Sequence, residues 1–223
     1  FQKAAQKEAF WLDLAQSDLL QIALGLLCGK WQLPATKDLQ TGFTDDLAAT
    51  FADLIDQKSK FTARHSRSVA EVVQRLAEGL GWQDERLHGI YTAGLLHDLG
   101  KLSVPRKILD KPGPLDSGEI EIVRTHTYYT HRLLTEAGFP TPMVEWAAHH
   151  HERLDGKGYP FALGENELDE GSRLMAIADI FAALTEDRPY RKAMSPGEAL
   201  ALLQRGSGTM LDSGLVDLAK KVL

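Results

Sequence analysis

The chain has 223 residues, of which 43% are hydrophobic and 25% are charged. This balance is ordinary for a globular protein and excludes a disordered chain. The formal net charge of −6 provides no attraction for a nucleic acid polymer or for an anionic membrane surface. An anionic substrate would therefore have to be bound through local positive charge or through metal ions.

The N-terminal region shows no sign of export or of membrane insertion. Its longest apolar run, residues 19–29, is too short to span a bilayer, and it lacks the basic and then apolar pattern of a signal peptide. The single cysteine, Cys28, cannot form an internal disulfide, so we expect a reducing, cytoplasmic location. Because the chain begins with Phe1 rather than Met, we expect it to be a fragment of a longer protein.

Helical periodicity dominates the chain. Apolar residues recur at the i, i+3, i+4 spacing, and the strict alternation typical of strands is almost absent. We therefore predict an all-α fold with few or no strands. In chain order, the predicted helices span residues 18–31, 44–82, 84–100, 116–137, 141–151, 171–185 and 196–204. A boundary is expected near residue 45, between a helical N-terminal segment (1–45) and a helical domain (46–223).

Two aspartates in apolar surroundings are the first indication of a functional site. Asp98 follows His97 in AGLLHDLGK, and Asp179 lies in MAIADIFAAL. A buried carboxylate without a partner is costly, so each aspartate is either a metal ligand or is satisfied by backbone groups or arginine. Neighbouring helix residues point about 100° apart. His97 and Asp98 can therefore share a target only if an ion lies over the edge between them or a carboxylate bridges two ions.

Histidines elsewhere extend this pattern. A single histidine such as His88 or His131 is more often structural than functional, and the same holds for His65 taken alone. The complete set of candidate ligands is His65, His97, Asp98, His126, His150, His151 and Asp179. Mixed imidazole and carboxylate ligands suit Fe, Mn, Ni or Zn rather than Mg or Ca. Seven ligands are too many for one ion that keeps open positions, so we predict two divalent transition-metal ions that share a bridging carboxylate.

Two motifs carry a family resemblance. HDLGK (97–101) together with HHERLDGKGYP (150–160) resembles the paired signature of the HD-GYP phosphodiesterases, a branch of the HD metal-dependent phosphohydrolases. The resemblance runs from about residue 51 to the C-terminus. It implies an HD-type helical bundle with an N-terminal helical extension, and a role in bacterial second-messenger signalling through hydrolysis of cyclic dinucleotides, usually cyclic di-GMP.

The resemblance also implies how the ligands are shared. One ion would be held by His65, His97, Asp98 and Asp179, and the second by Asp98, His126, His150 and His151. Asp98 would bridge the ions together with a water or hydroxide that acts as the nucleophile. Some family members bind a third ion through a glutamate at the position of Phe61, which cannot act as a ligand, so we expect two ions.

Substrate contacts are predicted around these ligands. Lys101 lies one turn after His97 and is predicted to assist catalysis by contacting a phosphate oxygen, although it could be a solvated lysine. Arg188 and Arg191 are candidates for the second phosphate or a guanine, with surface charges as the alternative. Tyr159, followed by Pro160, offers a ring to stack against a base.

The rest of the GYP segment has a supporting role in this prediction. Gly156 and Gly158 permit unusual backbone angles and a close approach to the ligand. Glu152 and Asp155 are expected to orient His151, the glycine loop or basic neighbours, with proton transfer as the alternative. The resemblance also makes this loop a docking surface for a diguanylate cyclase domain.

Several alternatives stay open. The enzyme could act on another cyclic dinucleotide such as 3′,3′-cyclic GMP-AMP, or on nucleoside phosphates as other HD hydrolases do. It could also be a sensor that binds a dinucleotide or a protein without catalysis. Ala182 stands where the family commonly has Asp, which bears on substrate fit. The N-terminal helices either form a homodimer or pack on the domain.

Overall fold

A computed structural model describes residues 37–58, 64–187 and 191–223. The predictions for Cys28, for the helix at 18–31, for Phe61 and for Arg188 therefore lie outside the described residues. Within them the α-helices are α1 (Lys37–Lys58), α2 (His65–Gly79), α3 (Asp84–Leu96), α4 (Arg106–Leu109), α5 (Ser117–Ala137), α6 (Thr141–Ala148), α7 (Glu170–Thr185), α8 (Pro196–Gly206) and α9 (Ser213–Val222). A short 3₁₀ helix spans Leu99–Ser103.

The all-α prediction is confirmed. In the described part of the chain, extended structure is limited to two isolated bridges, Asp155 with Gly164 and Ser207 with Leu211. Among the described helices, none is both long enough and apolar enough to cross a membrane. The boundary predicted near residue 45 stays a prediction, and α1 runs continuously through it.

Three predicted helices end at the wrong residue, and all three ends lie at the candidate ligands. The start predicted at residue 44 was also wrong, because α1 begins at Lys37. The continuous helix predicted over 44–82 is divided, because α1 ends at Lys58 and α2 begins at His65. The helix predicted over 84–100 ends at Leu96 and gives way to the 3₁₀ helix. The helix predicted over 141–151 ends at Ala148. Periodicity alone does not detect these ends, because no glycine or proline stands within three residues after the last helical residue. Sequence patterns also missed α4 and α9.

Helix α7 lies at the centre of the fold. Its residues 174–178 are all buried, whatever direction they face, as expected of a helix covered on all sides. It packs against α2, α6, α8 and α9, and their apolar side chains form one continuous core. Helix α2 is amphipathic by contrast, with Val69, Val73 and Leu76 buried on one face. Asp179 therefore projects from the middle of the most enclosed helix.

Gly100 allows the 3₁₀ helix to touch the backbone of α5. A Cβ atom at this position would lie 1.9 Å from the carbonyl oxygen of His126 and 2.7 Å from the amide nitrogen of Thr130. The Gly100 amide donates to Thr130 Oγ1 (2.9 Å), which in turn donates to the carbonyl of His97 (2.9 Å). This contact brings the His97–Asp98 segment against the helix that carries His126.

We expect Gly100→Ala to destabilise the fold by about 1–3 kcal/mol or more, because the added methyl group would overlap the backbone of α5. Gly197→Ala is the matched control, since a Cβ there would meet nothing within 4 Å and alanine favours the helix. Thermal or denaturant unfolding of both variants would measure the difference. An unchanged midpoint in Gly100→Ala would contradict the close contact.

Candidate metal centre

The HD dipeptide lies where one helix type changes to another. His97 is the residue that follows α3, and Asp98 has left α-helical geometry with φ −94° and ψ 10°. Both residues are almost completely buried. The change of geometry brings His97 Nε2 within 3.4 Å of Asp98 Oδ2, although successive residues of a regular helix point about 100° apart. The two side chains therefore point into the same part of the site.

The candidate ligands gather in two groups. In the first group, possible ligand atoms of His65, His97 and Asp98 all lie within 4.8 Å of one another, and in the second those of His126, His150 and His151 do the same. Asp179 joins the first group, since its Oδ1 is 3.0 Å from His65 Nε2 and 3.9 Å from His97 Nε2. The division between the groups matches the one that the family resemblance implies.

Two carboxylates connect these groups. Asp98 Oδ1 is 3.3 Å from His126 Nε2 and 4.0 Å from His150 Nε2, on the side of the second group. The other oxygen, Oδ2, faces His97 in the first group. Asp179, which belongs to the first group, also lies near the second, because its Oδ2 is 3.7 Å from His151 Nδ1. A carboxylate whose two oxygens face two ligand groups has the geometry of a bridging ligand.

Backbone carbonyls set the orientation of three imidazoles. The Nδ1 atoms of His97, His126 and His150 lie 2.6–2.8 Å from the carbonyl oxygens of the residues three positions earlier. A carbonyl oxygen only accepts, so each Nδ1 carries the proton and each Nε2 keeps its lone pair. His97 Nε2 is buried and makes no hydrogen bond to any described residue. A buried imidazole lone pair without a donor is what a metal ligand requires.

Burial and charge keep the second group in the neutral, ligand form. Burial lowers the pKa of His126 to about 3 and holds the pKa of His150 well below its usual value. Burial opposes the ionisation of Asp98, but the charge of Lys101 outweighs it, and the pKa of Asp98 stays well below its usual range. Neutral imidazoles next to an ionised carboxylate form a suitable donor set for a cation.

His65 is held by side chains instead of the backbone. Its Nδ1 lies 3.1 Å from Glu186 Oε2, and its Nε2 lies 3.0 Å from Asp179 Oδ1. Burial opposes the charged imidazole, but the two carboxylates outweigh it and raise the pKa of His65 to about 10. Glu186 was not predicted as a site residue from the sequence. It is the first residue after α7 and has extended backbone angles, φ −95° and ψ 144°, so helical periodicity does not link it to Asp179.

The donor set fits transition-metal ions. It contains five imidazoles and two carboxylates and no cysteine, a mixture that suits Fe, Mn, Ni or Zn. The residues present could therefore hold metal ions in two neighbouring positions.

The GYP loop is fastened by its own acidic residues. Glu152 is buried, and its two carboxylate oxygens accept from the amides of Phe161 (2.7 Å) and Leu163 (3.1 Å). Asp155 pairs with Arg153 at 2.6 Å and 2.9 Å and accepts from the amide of residue 157. Both acids therefore support the loop, and their hydrogen bonds among the described residues go to the loop backbone and to Arg153.

Gly158 lies close against the backbone of residues 151–153. A Cβ atom at this residue would lie 2.4 Å from Glu152 Cα and 2.6 Å from the carbonyl oxygen of His151. A side chain at this position would therefore collide with the chain's own backbone, and the approach to a ligand stays a prediction. Gly156 has a φ of +68°, a left-handed conformation that glycine adopts without strain.

Tyr159 lies between two other side chains, and Pro160 follows it half-buried at the end of the turn. The Tyr159 ring centre is 4.9 Å from that of His151, and the guanidinium carbon of Arg124 is 5.1 Å from the Tyr159 ring centre. Burial raises the pKa of Tyr159, so the phenol stays protonated at neutral pH. Arg124 was not predicted from the sequence, where its only signal is a basic residue two positions before His126.

A family model described as an HD domain matches residues 49–215. The chain belongs to the HD-domain family. This confirms the relationship that the motifs HDLGK and GYP indicated in the sequence.

Named relatives of this HD domain act on cyclic dinucleotides. A 3′3′-cGAMP-specific phosphodiesterase of Vibrio cholerae is 42% identical over 172 residues, which cover 77% of this chain and 40% of that protein. A cyclic di-GMP phosphodiesterase of Pseudomonas aeruginosa is 37% identical over 67% of this chain and 36% of its own length. A solved cyclic GMP-AMP specific phosphodiesterase of V. cholerae is 29% identical with a TM-score of 0.54, over 99% of this chain and 49% of that one. The chain spans less than half of each.

Two predicted substrate residues of the HD domain are engaged elsewhere. Lys101 Nζ lies 2.5 Å from Asp98 Oδ2, so in this structure the lysine contacts the bridging carboxylate. Arg191 donates to the carbonyls of Ala183 (2.7 Å) and Leu184 (3.0 Å) at the end of α7. Its guanidinium therefore caps a helix, as cations often do at helix C-termini, and this arrangement does not support the prediction that it binds a phosphate.

The remaining histidines lie outside both ligand groups. His149 is buried against Phe161, with ring centres 5.6 Å apart, and its Nδ1 is 3.5 Å from Ser172 Oγ. His131 contacts the other side of the same phenylalanine at 5.3 Å. Of the three consecutive histidines, His149 is thus a packing residue.

The shared position of Asp98 leads to a prediction about metal content. Asp98→Asn is expected to lower metal affinity at both groups by more than about 100-fold, because loss of an outer partner alone typically costs 10–100-fold. His126→Ala is expected to weaken only the second group. Elemental analysis after loading with Mn²⁺ and gel filtration would count the ions. Two ions retained by Asp98→Asn would contradict the shared ligand.

Variants of Glu152 distinguish a role in supporting the GYP loop from a role in proton transfer. Glu152→Ala leaves the amides of Phe161 and Leu163 without their acceptor and is expected to destabilise the protein by about 1–3 kcal/mol. Glu152→Gln keeps one acceptor oxygen and should retain metal content and most activity. Unfolding midpoints and turnover of both variants would be compared. A stable Glu152→Gln protein without activity would favour a role in proton transfer instead.

Proposed function

We propose that this HD domain is a metal-dependent phosphodiesterase that hydrolyses the 3′–5′ phosphodiester bonds of a cyclic dinucleotide. One observation carries the proposal: the buried carboxylate of Asp98 directs its two oxygens at two separate groups of imidazoles. The relatives named as cyclic dinucleotide phosphodiesterases support the substrate class.

The proposed ligands follow the two groups. The first ion would be held by His65, His97, Asp98 and Asp179, and the second by Asp98, His126, His150 and His151. Bound ions of this kind lower the pKa of water and neutralise the charge of a phosphate, which is the chemistry that a phosphodiester requires. The donor set is compatible with Fe, Mn, Ni or Zn.

The chain's own residues prepare the site for an anion. The backbone carbonyls hold three imidazoles with their lone pairs inward, so little reorganisation accompanies binding. Lys101 keeps Asp98 ionised and adds a positive charge beside it, and its side chain is 19% exposed, within reach of a phosphate oxygen. Tyr159 and Pro160 form one wall next to His151, with Arg124 over the outer face of the tyrosine ring.

Cyclic di-GMP is the first candidate substrate, with pGpG as the product and GMP if both bonds are cleaved. A second candidate is 3′3′-cyclic GMP-AMP, which the 42% identical relative from V. cholerae favours. The two substrates share the phosphodiester chemistry and differ in one base, so the same metal centre serves either.

Two contacts beyond the substrate belong to the proposal. The GYP loop, with Phe161 40% exposed at its edge, is the surface proposed for a diguanylate cyclase domain. Dimerisation through the N-terminal helices concerns residues outside the described ranges. A cytoplasmic location follows from the proposed substrate class, a bacterial second messenger.

Turnover of three compounds would test the function. Protein purified anaerobically and loaded with Fe²⁺ or Mn²⁺ is expected to cleave cyclic di-GMP or 3′3′-cyclic GMP-AMP to a linear dinucleotide and to leave dGTP intact. Asp98→Asn is the inactive control, and chromatography identifies the products. Hydrolysis of dGTP alone would favour a nucleotide hydrolase, and calorimetric binding of a dinucleotide without turnover would favour a sensor.

A further inference from the structure

The last turn of α1 contains two charged residues that are buried. Asp56 is 2% exposed and Lys58 is 1% exposed, although burial of either charge is costly unless a partner offsets it. Neither residue belongs to the two ligand groups. Asp56 contacts α2, which begins with His65, and Lys58 contacts the 3₁₀ helix that follows His97 and Asp98.

Asp56 caps the helix that begins with His65. The residue before this helix is Arg64, whose side chain makes no capping hydrogen bond and has no acceptor to offer. The Asp56 carboxylate replaces it by accepting from the Ser66 amide at 3.2 Å and from Ser66 Oγ at 2.8 Å. A carboxylate at a helix N-terminus is also favoured by the helix dipole. Asp56 thereby holds the first turn of α2, on which His65 is the first residue.

Lys58 contacts the other of these two segments, the 3₁₀ helix. Its Nζ donates to the carbonyl oxygen of Leu102 at 2.5 Å. This carbonyl lies near the end of the 3₁₀ helix, where carbonyl groups lack partners within the helix and a cation is favoured. The 3₁₀ helix begins directly after His97 and Asp98. Lys58 thereby holds the segment that follows the HD dipeptide.

We infer that Asp56 and Lys58 are positioning residues of the metal centre, which together set the spacing between His65 and the His97–Asp98 segment. The inference rests on the proposed metal centre and not on the identity of the substrate. Helix α1 packs against α2, which begins with His65, and against α3 and the 3₁₀ helix, which flank His97 and Asp98. Loss of either contact therefore weakens the ion of the first group more than that of the second.

A Mn²⁺ titration followed by electron paramagnetic resonance tests this inference, since the signal of free Mn²⁺ reports both the number of bound ions and their affinities. The wild-type protein is expected to bind two ions. Asp56→Asn and Lys58→Met are expected to keep one ion at wild-type affinity and to bind the other about 10–100-fold more weakly, as for other outer partners of metal ligands.

Asp212→Asn is the matched control for a purely structural effect. Asp212 caps α9 by accepting from the Leu215 amide at 3.1 Å, and α9 carries none of the candidate ligands. This variant is expected to lower the melting temperature and to bind both ions as the wild type does. Circular dichroism checks that each variant is folded, and Lys58→Met carries the test if Asp56→Asn does not fold.

A double-variant cycle shows whether Asp56 acts through His65. In a His65→Ala background, Asp56→Asn is expected to cause no further loss at the first group. Additive losses in this cycle would overturn the inference while the proposed function stands. Wild-type affinity for both ions in Asp56→Asn and Lys58→Met would do the same. So would equal losses of affinity in Asp212→Asn. A wild-type protein that binds no metal would overturn both.

Discussion

The arrangement of the site depends on one buried carboxylate. Asp98 is 2% exposed, and the cost of burying its charge is offset by Lys101, while imidazoles flank the carboxylate on two sides. Its position depends on the end of α3 and on the 3₁₀ helix that follows. It also depends on Gly100, because the absence of a side chain there lets this segment pack against α5. A helix continuing regularly through residue 98 would separate the two groups that the carboxylate now joins.

Much of the fold could be predicted from the sequence, and the candidate ligands that the structure brings together could be picked out there. Apolar periodicity located most helices because each buries one face in a common core. The ligands were recognisable because carboxylates in apolar segments such as MAIADIFAAL need a partner. The division into two groups followed from the family resemblance. The helix ends at Lys58, Leu96 and Ala148 were missed, since no glycine or proline directly follows them as a stop signal.

The parts that could not be predicted are contacts between distant residues. His65 and Glu186 are 121 positions apart, and no local pattern links them. Arg191 was expected to bind a phosphate or a guanine through the fork of its guanidinium, whereas this group closes the end of α7. Gly158 was expected to approach a ligand, and the structure shows that it makes room for the backbone beside Glu152. In each case the type of residue indicated a role, but the sequence did not show which group the residue contacts.

The hydrogen bonds behind the imidazoles have an evolutionary consequence. His97, His126 and His150 are oriented by main-chain oxygens, which no side-chain substitution removes. His65 depends on two side chains, Asp179 and Glu186. Sequence drift can therefore alter the basicity of the His65 imidazole while leaving the other three unchanged. Metal preference in descendants of this protein would diverge first at the His65 position.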